Sequence, residues 1–415
     1  MIKKRNGKLV DFDFNKIVSA VQRTFKASGY DEIPKEFHDE LSCEHFERFE
    51  AVEDIQDRIE KLLYYSGYRL VYNNFVTYRA NHALMRESKN KVVFDSIINA
   101  EKNDVTRDNG NMNADSPAGQ MMKFASETTK PFVEKYMLSD EVIEAMNDNL
   151  LYIHDKDYYL TRSLTCVQHP LDRILGTGFM AGHGEARPAK RIETAAILAA
   201  ISMETVQNEM HGGQAIPAFD FYMAPYVRLT YKEEVEKIRE FIDNGILGDS
   251  WWEGVKEEKF KDYLEKPLPT DYREKIIQQA MNNTVRRVHQ AMESFIHNMN
   301  SIHSRGGNQV VFSSINYGTD TSAEGRCVMR ELLLSTENGV GNNSTAIFPI
   351  QVWKMKKGVS VLPTDPNYDL YKLSWRVSAR RFFPNYLNLD SSYNMSEEWD
   401  ENDPKRYEHE VATMG

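Results

Sequence analysis

The chain has 415 residues, a formal net charge of −11 and 41% hydrophobic residues. This length exceeds that of one ordinary domain, since domains run to roughly 100–200 residues, so we expect two or three domains with sizeable cores. The negative charge argues against a protein whose main partner is a nucleic acid backbone, although a local basic pocket can still bind a nucleotide.

The three cysteines, Cys43, Cys166 and Cys327, share no CxxC spacing. We therefore predict no metal site within the chain. Such a sparse, odd count is typical of a reducing cytoplasm and not of a secreted disulfide scaffold. No segment has the apolar core of a signal peptide or the ~20 apolar residues of a membrane helix. We expect a soluble cytoplasmic protein without a membrane partner.

The first predicted element is a β-hairpin. Its strands are residues 2–5 and 8–12, and its turn is Asn6-Gly7, a dipeptide strongly favoured in tight hairpins. The helical periodicity that follows has a one-sided apolar stripe typical of packed helices. The predicted helices cover residues 14–27, 51–66 and 70–87. Together these elements predict a compact α-rich domain over residues 1–90.

Turn-forming residues dominate positions 101–119, where Asn, Asp, Gly, Ser and Pro are frequent. We predict a linker over residues 91–112 and a second domain over residues 113–415. In that domain helical patterns alternate with short apolar runs, which indicates the α/β class with buried strands. The predicted helices are residues 191–210, 232–244 and 271–299, and the predicted strands are residues 151–154, 309–312 and 345–350.

The first domain contains an ordered run of residues: Ile2-Lys3-Lys4-Arg5-Asn6-Gly7, Phe12, Asn15-Lys16-Ile17 and, near its end, Tyr78-Arg79. This run resembles the ATP-cone, a module that binds ATP or dATP and controls ribonucleotide reductases. Basic side chains on a terminal hairpin are otherwise solvated, but here they can converge on a triphosphate, and a glycine lets the backbone close over a ligand. The predicted nucleotide contacts are Ile2, Lys4, Arg5, Asn6, Gly7, Asp13, Lys16 and Ile17.

The second domain contains longer motifs, which are Ile153–Tyr159, Leu164–Leu171, His303–Asn316 and Ala412–Gly415. Together they resemble the anaerobic, glycyl-radical ribonucleotide reductases over essentially the whole chain. The resemblance implies a ten-stranded αβ barrel that reduces ribonucleoside triphosphates to 2′-deoxyribonucleotides. It also implies a separate radical-SAM iron–sulfur activase, which places a radical on a C-terminal glycine, and transfer of that radical to a cysteine inside the barrel.

The resemblance places the thiyl cysteine directly after Gly415, with four zinc-binding cysteines and the radical glycine further on. The 415 residues contain none of these, so we expect a barrel that is incomplete at its C-terminus and inactive alone. One alternative is a nucleotide-binding regulatory protein without catalysis. Another is a related glycyl-radical enzyme acting on a different small molecule, although such an enzyme has no need of a deoxynucleotide sensor.

Cys166 and His154 are the candidate catalytic residues. A free cysteine after an apolar segment is ordinarily a small buried hydrophobe, but the resemblance implies that Cys166 faces the substrate and that formate is the reductant. His154 is either a structural histidine bonded to Asp155 or a group that orients formate or substrate near Cys166.

Effector control and assembly are also implied by the resemblance. The helix over residues 191–210 corresponds to a region of dimer contacts and of a dNTP specificity effector. Lys190 and Gln207 are candidate effector contacts there, and a solvated helix face is the alternative. We expect a homodimer or a higher oligomer that depends on dATP.

Several further motifs keep two interpretations. Arg305-Gly306-Gly307-Asn308 is either a loop that approaches phosphate or a barrel corner. Asn342-Asn343-Ser344-Thr345 either binds phosphate or is a plain turn. His211-Gly212-Gly213-Gln214 is interpreted as a glycine helix stop, and Cys43 and Cys327 as structural residues.

Overall fold

A computed structural model describes seven parts of the chain, residues 2–3, 9–88, 116–243, 245, 247–260, 271–305 and 309–414. The chain divides into two compact units, residues 1–99 and 100–415. The predicted linker, residues 91–112, lies outside the described residues. Among the described helices, none is long and apolar enough to cross a membrane.

The described residues of the first unit form a short hairpin, four α-helices and a 3-10 turn, Phe46–Arg48. Strand β1 (Ile2–Lys3) pairs antiparallel with β2 (Leu9–Val10), which confirms the hairpin, although its predicted turn lies outside the described residues. The helices are α1 (Phe14–Ala27), α2 (Lys35–Cys43), α3 (Val52–Tyr65) and α4 (Arg69–Ser88). The three predicted helices are confirmed, whereas α2 was not predicted because it is short and buries only Phe37 and Leu41.

Helix α1 shows why these segments fold as the periodicity indicates. The side chain of Asp13 accepts the backbone N–H of Asn15 at 3.1 Å and so caps the first turn. Ile17, Val21 and Phe25 recur at four-residue spacing and are buried in the core of the unit. The polar start and the apolar stripe therefore fix both the beginning of the helix and the face that it buries.

Arg79 ties α4 to α3. Its guanidinium donates hydrogen bonds to three carboxylates of α3, those of Glu53 at 2.8 Å, Asp57 at 2.5 Å and Glu60 at 2.8 Å. These acceptors are spaced three and four residues apart, so they lie on one face of α3. One arginine thus holds the two helices in register over about two turns.

The second unit contains a five-stranded parallel sheet. Its strands are β3 (Val167–Gln168), β6 (Gln214–Ile216), β7 (Ser313–Tyr317), β8 (Ile350–Met355) and β9 (Asn385–Asn388), in the order β3-β6-β7-β8-β9, and a separate antiparallel pair is formed by β4 (Phe179–Ala181) and β5 (Gly184–Ala186). The α/β class is confirmed. The closure into ten strands stays a prediction, since the described residues supply five strands to this sheet.

Two helices, α5 (Pro117–Tyr136) and α6 (Asp140–Asn147), precede the sheet. The helices that link the parallel strands, as parallel pairing requires, are α7 (Leu171–Thr177), α8 (Ile192–Val206), α9 (Phe219–Ile242), α10 (Asp249–Lys256), α11 (Tyr272–Ser301), α12 (Ala323–Asn338) and α13 (Tyr368–Arg381). Helices α8, α9, α11 and α12 pack together around one apolar core. Two predicted helices match α8 and α11, and the third, residues 232–244, is the second half of the longer α9.

The three predicted strands of the second unit are wrong. Residues 151–154 form no strand, and the other two apolar runs end where β7 and β8 begin. The reason is visible in β7, in which every residue is buried but Ser314 and Asn316 alternate with Ile315 and Tyr317. The polar side chains are hydrogen-bonded inside the protein. A search for wholly apolar segments therefore places each strand just before its actual position in the chain.

A buried ion pair joins the sheet to the C-terminal segment. The Lys354 ammonium of β8 lies 3.0 Å from the Glu410 carboxylate, and the two side chains are 1% and 0% exposed. Glu410 also accepts hydrogen bonds from the Thr319 hydroxyl at 2.9 Å and the Trp399 indole N–H at 3.0 Å. With its lone pairs satisfied in this way, the buried carboxylate holds residues 406–414 against the sheet.

Two further buried carboxylates, those of Asp220 and Asp320, lie near this ion pair. Asp220 is fully buried and accepts the backbone N–H groups of Gly318, Thr319 and Asp320 at 2.8–3.1 Å. Burial raises the pKa of Asp220 despite these bonds. Burial, together with the nearby Asp220, raises the pKa of Asp320 to about 7. Asp320 therefore changes its charge near neutral pH inside the folded unit.

Replacing Lys354 with methionine should lower the free energy of unfolding of the second unit by about 3–5 kcal/mol, because Glu410 is left buried without its cation. All five tryptophans lie in this unit, so their fluorescence in a urea titration reports it specifically. Lys357→Met, at an exposed position of the same segment, is the matched control. A loss below about 1 kcal/mol in Lys354→Met would contradict a structural role for the pair.

Asp320→Asn should change how stability depends on pH. In wild type the folded state keeps the Asp320 proton up to about pH 7, whereas the unfolded chain loses it near 3.8. A carboxyl with a raised folded pKa favours folding at low pH, and that contribution is lost as the pH rises between these values. The unfolding free energy of the variant minus that of wild type should therefore increase from about pH 4 to pH 7. A difference that stays constant with pH would refute this assignment.

Candidate functional site

The first unit contains a cavity of about 230 Å³ between the hairpin, α1, α3 and α4. Four of the residues predicted to contact a nucleotide line it, namely Ile2, Asp13, Lys16 and Ile17. The others, Lys4, Arg5, Asn6 and Gly7, lie outside the described residues. The remaining wall is largely apolar and includes Val52, Ile55, Ile59 and Phe75, which suits the flat face of a base.

Charge is concentrated at one side of this cavity. The ammonium of Lys16 lies 3.5 Å from the Asp13 carboxylate, and the Lys16 side chain is 76% exposed. An exposed ion pair of this kind contributes little to stability and leaves the lysine able to turn to another anion. The cavity therefore combines an apolar interior with a cation at its opening. Residues of α3 and α4 were not predicted to line it, since only an apolar helical stripe marks them in the sequence.

In the second unit three chain segments meet at the amino ends of neighbouring strands. The register pairs Val167 with Gln214 and Gln214 with Ser313. The residues just before them, Cys166, Gly213 and Phe312, therefore lie side by side at this edge of the sheet. Cys166 is a free, exposed cysteine.

Gly212 is required at this edge for close packing. A Cβ atom added at Gly212 would lie 1.9 Å from the carbonyl oxygen of Thr165 and 3.0 Å from the Cys166 sulfur. The first distance is far below any real contact, so only glycine lets β6 approach the segment that carries the thiol. The helical segment before it has already ended in a short 3-10 turn, Gln207–Glu209. Gly212 thus allows close packing at the end of the strands, and the interpretation of this motif as a helix stop was incomplete.

The C-terminal segment reaches the same edge. The side-chain amide of Asn316 donates to the Thr413 carbonyl at 2.9 Å, and its oxygen accepts the Thr413 N–H at 3.0 Å. The Ser314 hydroxyl donates to the Met414 carbonyl at 2.7 Å. A Cβ atom added at Gly213 would lie 3.0 Å from the Met414 sulfur. The polar face of β7 therefore holds residues 413–414 over the edge where Cys166 lies.

A polar pocket of about 520 Å³ adjoins this edge. It is lined by Met137, His154, Asp155, Tyr158, Tyr159, Arg162, Ser163, Thr165 and His211. The structure thus places the predicted His154 in the pocket, whereas Cys166 follows the lining residue Thr165 and is not itself part of the wall. His154 is 79% exposed and its Nδ1 lies 2.6 Å from the Asp155 carboxylate.

His211 is a pocket residue that the sequence analysis missed. Its ring is 7% exposed, stacks on Tyr158 with centroids 4.5 Å apart, and places Nδ1 2.8 Å from the Ser163 hydroxyl. Burial raises the pKa of the Tyr158 phenol. The only sequence signal was the position of His211 just before two glycines and a short buried strand.

Arg305 contacts the pocket residue His211 from outside the pocket lining. Its guanidinium donates to the backbone carbonyl of His211 and lies 3.9 Å from the centre of the Phe312 ring. Burial lowers the pKa of this arginine. The three residues after it, Gly306, Gly307 and Asn308, lie outside the described residues, so the phosphate loop proposed for this motif stays a prediction.

Lys190 and Gln207 lie at opposite ends of α8. Lys190 is exposed just before the helix, whereas Gln207 is 4% exposed and its side-chain oxygen accepts the Gln214 amide at 3.3 Å. They are separated by 17 residue steps, which correspond to about 25 Å along a helix. Within one chain a single nucleotide therefore cannot contact both residues in this arrangement, and their role as effector contacts stays a prediction.

The chain is similar to several known reductases. The anaerobic ribonucleoside-triphosphate reductases of Haemophilus influenzae and Escherichia coli are 26% and 25% identical to it, over 93% and 94% of its length and 52% and 51% of their own. The chain therefore spans about half the length of these curated relatives. The anaerobic ribonucleotide reductase from Thermotoga maritima, solved in complex with dATP and CTP, is 13% identical with a TM-score of 0.43, over 66% of this chain and 43% of that one.

Two family models match the chain. Residues 1–84 match the ATP cone domain, the segment that forms the first unit around its apolar cavity. Residues 108–415 match the anaerobic ribonucleoside-triphosphate reductase model, which includes the sheet, the pocket and the C-terminal segment. Since the second match covers well over half of the sequence, the chain belongs to the anaerobic ribonucleoside-triphosphate reductase family.

Proposed function

We propose that the chain forms the ATP-cone and the catalytic α/β part of an enzyme that reduces ribonucleoside triphosphates to 2′-deoxyribonucleoside triphosphates by glycyl and thiyl radical chemistry. The observation that carries this proposal is the meeting of Cys166, Gly213 and Met414 at one edge of the parallel sheet. The polar pocket beside that edge provides groups that bind hydroxyl and carboxylate oxygens. Family membership supplies the class of reaction.

The chemistry requires a hydrogen-atom donor and a final reductant. A thiol can give up hydrogen and be regenerated, and the exposed, free thiol of Cys166 supports this role. We propose formate as the reductant. Formate, one proton and the ribonucleotide then yield carbon dioxide, water and the deoxyribonucleotide, which balances atoms and electrons. The residue after Gly415 would take the thiyl role, since the bonds from Asn316 and Ser314 direct the segment to this edge.

The pocket fits a small carboxylate and a sugar hydroxyl. Arg162 and His154 offer donors, and Ser163 and His211 lie deeper. Donors of this type bind carboxylates through charge-assisted hydrogen bonds. We propose that formate and the ribose of the substrate bind here, next to Cys166.

We further propose that the cone binds ATP and dATP as effectors. Its apolar cavity is smaller than the roughly 300–1,000 Å³ of pockets for drug-sized ligands, so it fits the base and leaves the phosphates at the opening, near Lys16. Lys4 and Arg5 would complete the phosphate contacts. A nucleotide that favours one assembly shifts the population only by its differential affinity, and we expect dATP to favour a higher oligomer than the homodimer. The proposal also includes a dNTP specificity effector near Lys190, a radical-SAM activase, and a structural zinc in the reductase's further residues.

Lys16→Ala should weaken ATP and dATP binding about ten- to a hundredfold, because it removes a charge-assisted phosphate contact of about 1.5–3 kcal/mol. Isothermal titration calorimetry measures this directly. Lys26→Ala, at an exposed position of the same helix away from the cavity, should leave both affinities unchanged. Equal affinities for wild type and Lys16→Ala would rule out this cavity as the phosphate-binding place.

Cys166→Ala should lower the formation of deoxyribonucleotide by at least about a thousandfold, as expected when a group that acts in the chemical step is lost. The assay follows a labelled ribonucleoside triphosphate in the anaerobically activated enzyme with formate. Cys43→Ala, which removes an exposed cysteine from the first unit, is the control. Turnover that survives in Cys166→Ala, with nucleotide binding intact, would refute the role proposed for this thiol.

A further inference from the structure

Two histidines of the pocket share one carboxylate. An Asp155 oxygen lies 2.6 Å from Nδ1 of His154, and the same oxygen lies 3.6 Å from Nε2 of His211. The other nitrogen of His211, Nδ1, lies 2.8 Å from the Ser163 hydroxyl. Four side chains are therefore arranged in series, and both ring nitrogens of His211 face a polar partner.

The two ends of this series lie in different environments. The His154 side chain is 79% exposed, whereas the His211 side chain is 7% exposed and the Asp155 side chain 16%. Ser163 lines the pocket, two residues before Thr165, which precedes Cys166. One end of the series is thus in water, and the other, Ser163, is half-buried in the pocket wall three residues before Cys166.

The surroundings hold the series in place. Asp155 has a left-handed backbone conformation, with φ of 48°, which turns its side chain between the two imidazoles. Tyr158 stacks on the His211 ring, and Arg305 donates to the His211 carbonyl. The charged or titratable groups around His211 include Asp155, His154, Tyr158, Tyr159, Asp157, Arg162, Arg305 and Cys166. Asp157 is engaged by the Ser126 hydroxyl at 2.6 Å.

We propose that His154, Asp155, His211 and Ser163 form a proton relay between solvent and the floor of the pocket. This inference rests on the proposed function, because loss of the 2′-hydroxyl as water with formate as reductant consumes one proton. Imidazole is the side chain whose ordinary pKa lies closest to neutral pH, which suits it to this transfer. In this relay only His154, at the exposed end of the series, has to exchange protons with bulk water.

The transfer balances when each group passes on one proton. A doubly protonated His154 gives its Nδ1 proton to Asp155, and Asp155 gives a proton to Nε2 of His211. His211 then releases its Nδ1 proton to the Ser163 oxygen, as the Ser163 hydroxyl proton moves to the bound ligand. His154 is reprotonated by water. The distance between Asp155 and His211 has to shorten to about 3 Å for this step, a shift within the reach of side-chain motion.

The test follows the His211 ring itself and needs neither substrate nor radical. With ¹⁵N-labelled histidine, NMR measures the rate at which the His211 Nε2 proton exchanges with water. His154→Gln should slow this exchange roughly tenfold or more, since it removes the acid–base group at the exposed end. Asp155→Asn should slow it similarly, because an amide in place of the carboxylate cannot pass a proton between the two imidazoles.

Two control variants change the same residue types elsewhere. His183→Gln, in the exposed turn between β4 and β5, and Asp148→Asn, in an exposed loop, should leave the exchange rate unchanged. Unchanged exchange in His154→Gln would overturn the relay, even if Asp155→Asn fails to fold, because His154 is exposed and its replacement leaves the core intact. The reductase proposal is tested separately, by measuring turnover in Cys166→Ala.

Discussion

The buried ion pair between Lys354 and Glu410 is the interaction on which the geometry of the second unit depends. A carboxylate with no exposed surface is tolerated there only because an ammonium, a hydroxyl and an indole N–H satisfy it together. The segment that carries Glu410 continues directly to residues 413–414, which β7 binds through Asn316 and Ser314. The strand that supplies the cation and the strand that binds the segment are neighbours in the sheet. The ion pair and the bonds from β7 therefore hold successive parts of the same segment against neighbouring strands.

The two units present different binding surfaces, an apolar cavity in the first and a polar pocket in the second. The cavity of the first unit is apolar, with Lys16 at its opening, which suits a ligand that has a flat base and a charged tail. The pocket of the second unit is polar and rich in imidazole and hydroxyl groups, which suits proton movement and small oxygen ligands. This contrast agrees with a division between effector binding and chemistry. Each surface uses secondary structure that its own unit stabilises, the first through the Arg79 bonds and the second through the parallel sheet.

The sequence predicted the features that depend on local periodicity. Three helices of the first unit and α11 followed from apolar spacing, and the structure adds that Asp13 and Asp271 cap α1 and α11. Strands β7 and β8 were displaced in the prediction because their buried faces are partly polar, and only tertiary contacts such as that of Ser314 with Met414 explain why serine and asparagine are found there. His154 was identified from its motif, but His211 was not, since its partners Ser163 and Asp155 lie about 50 residues away in the chain. Long-range pairings of this kind leave no periodic signal.

The polar face of β7 binds the main chain of the C-terminal segment and not its side chains. Asn316 engages the N–H and the carbonyl of Thr413, and Ser314 engages the carbonyl of Met414. Every amino acid except proline offers the same two groups at such a position. The path of residues 413–414 is therefore independent of most side-chain identities there, apart from the packing of Met414 on Gly213, whereas Glu410 holds the preceding residues through its side chain. A scaffold of this kind separates the placement of a segment from the identity of its side chains, so the side chain at position 413 could be exchanged without redesigning the strand that holds it.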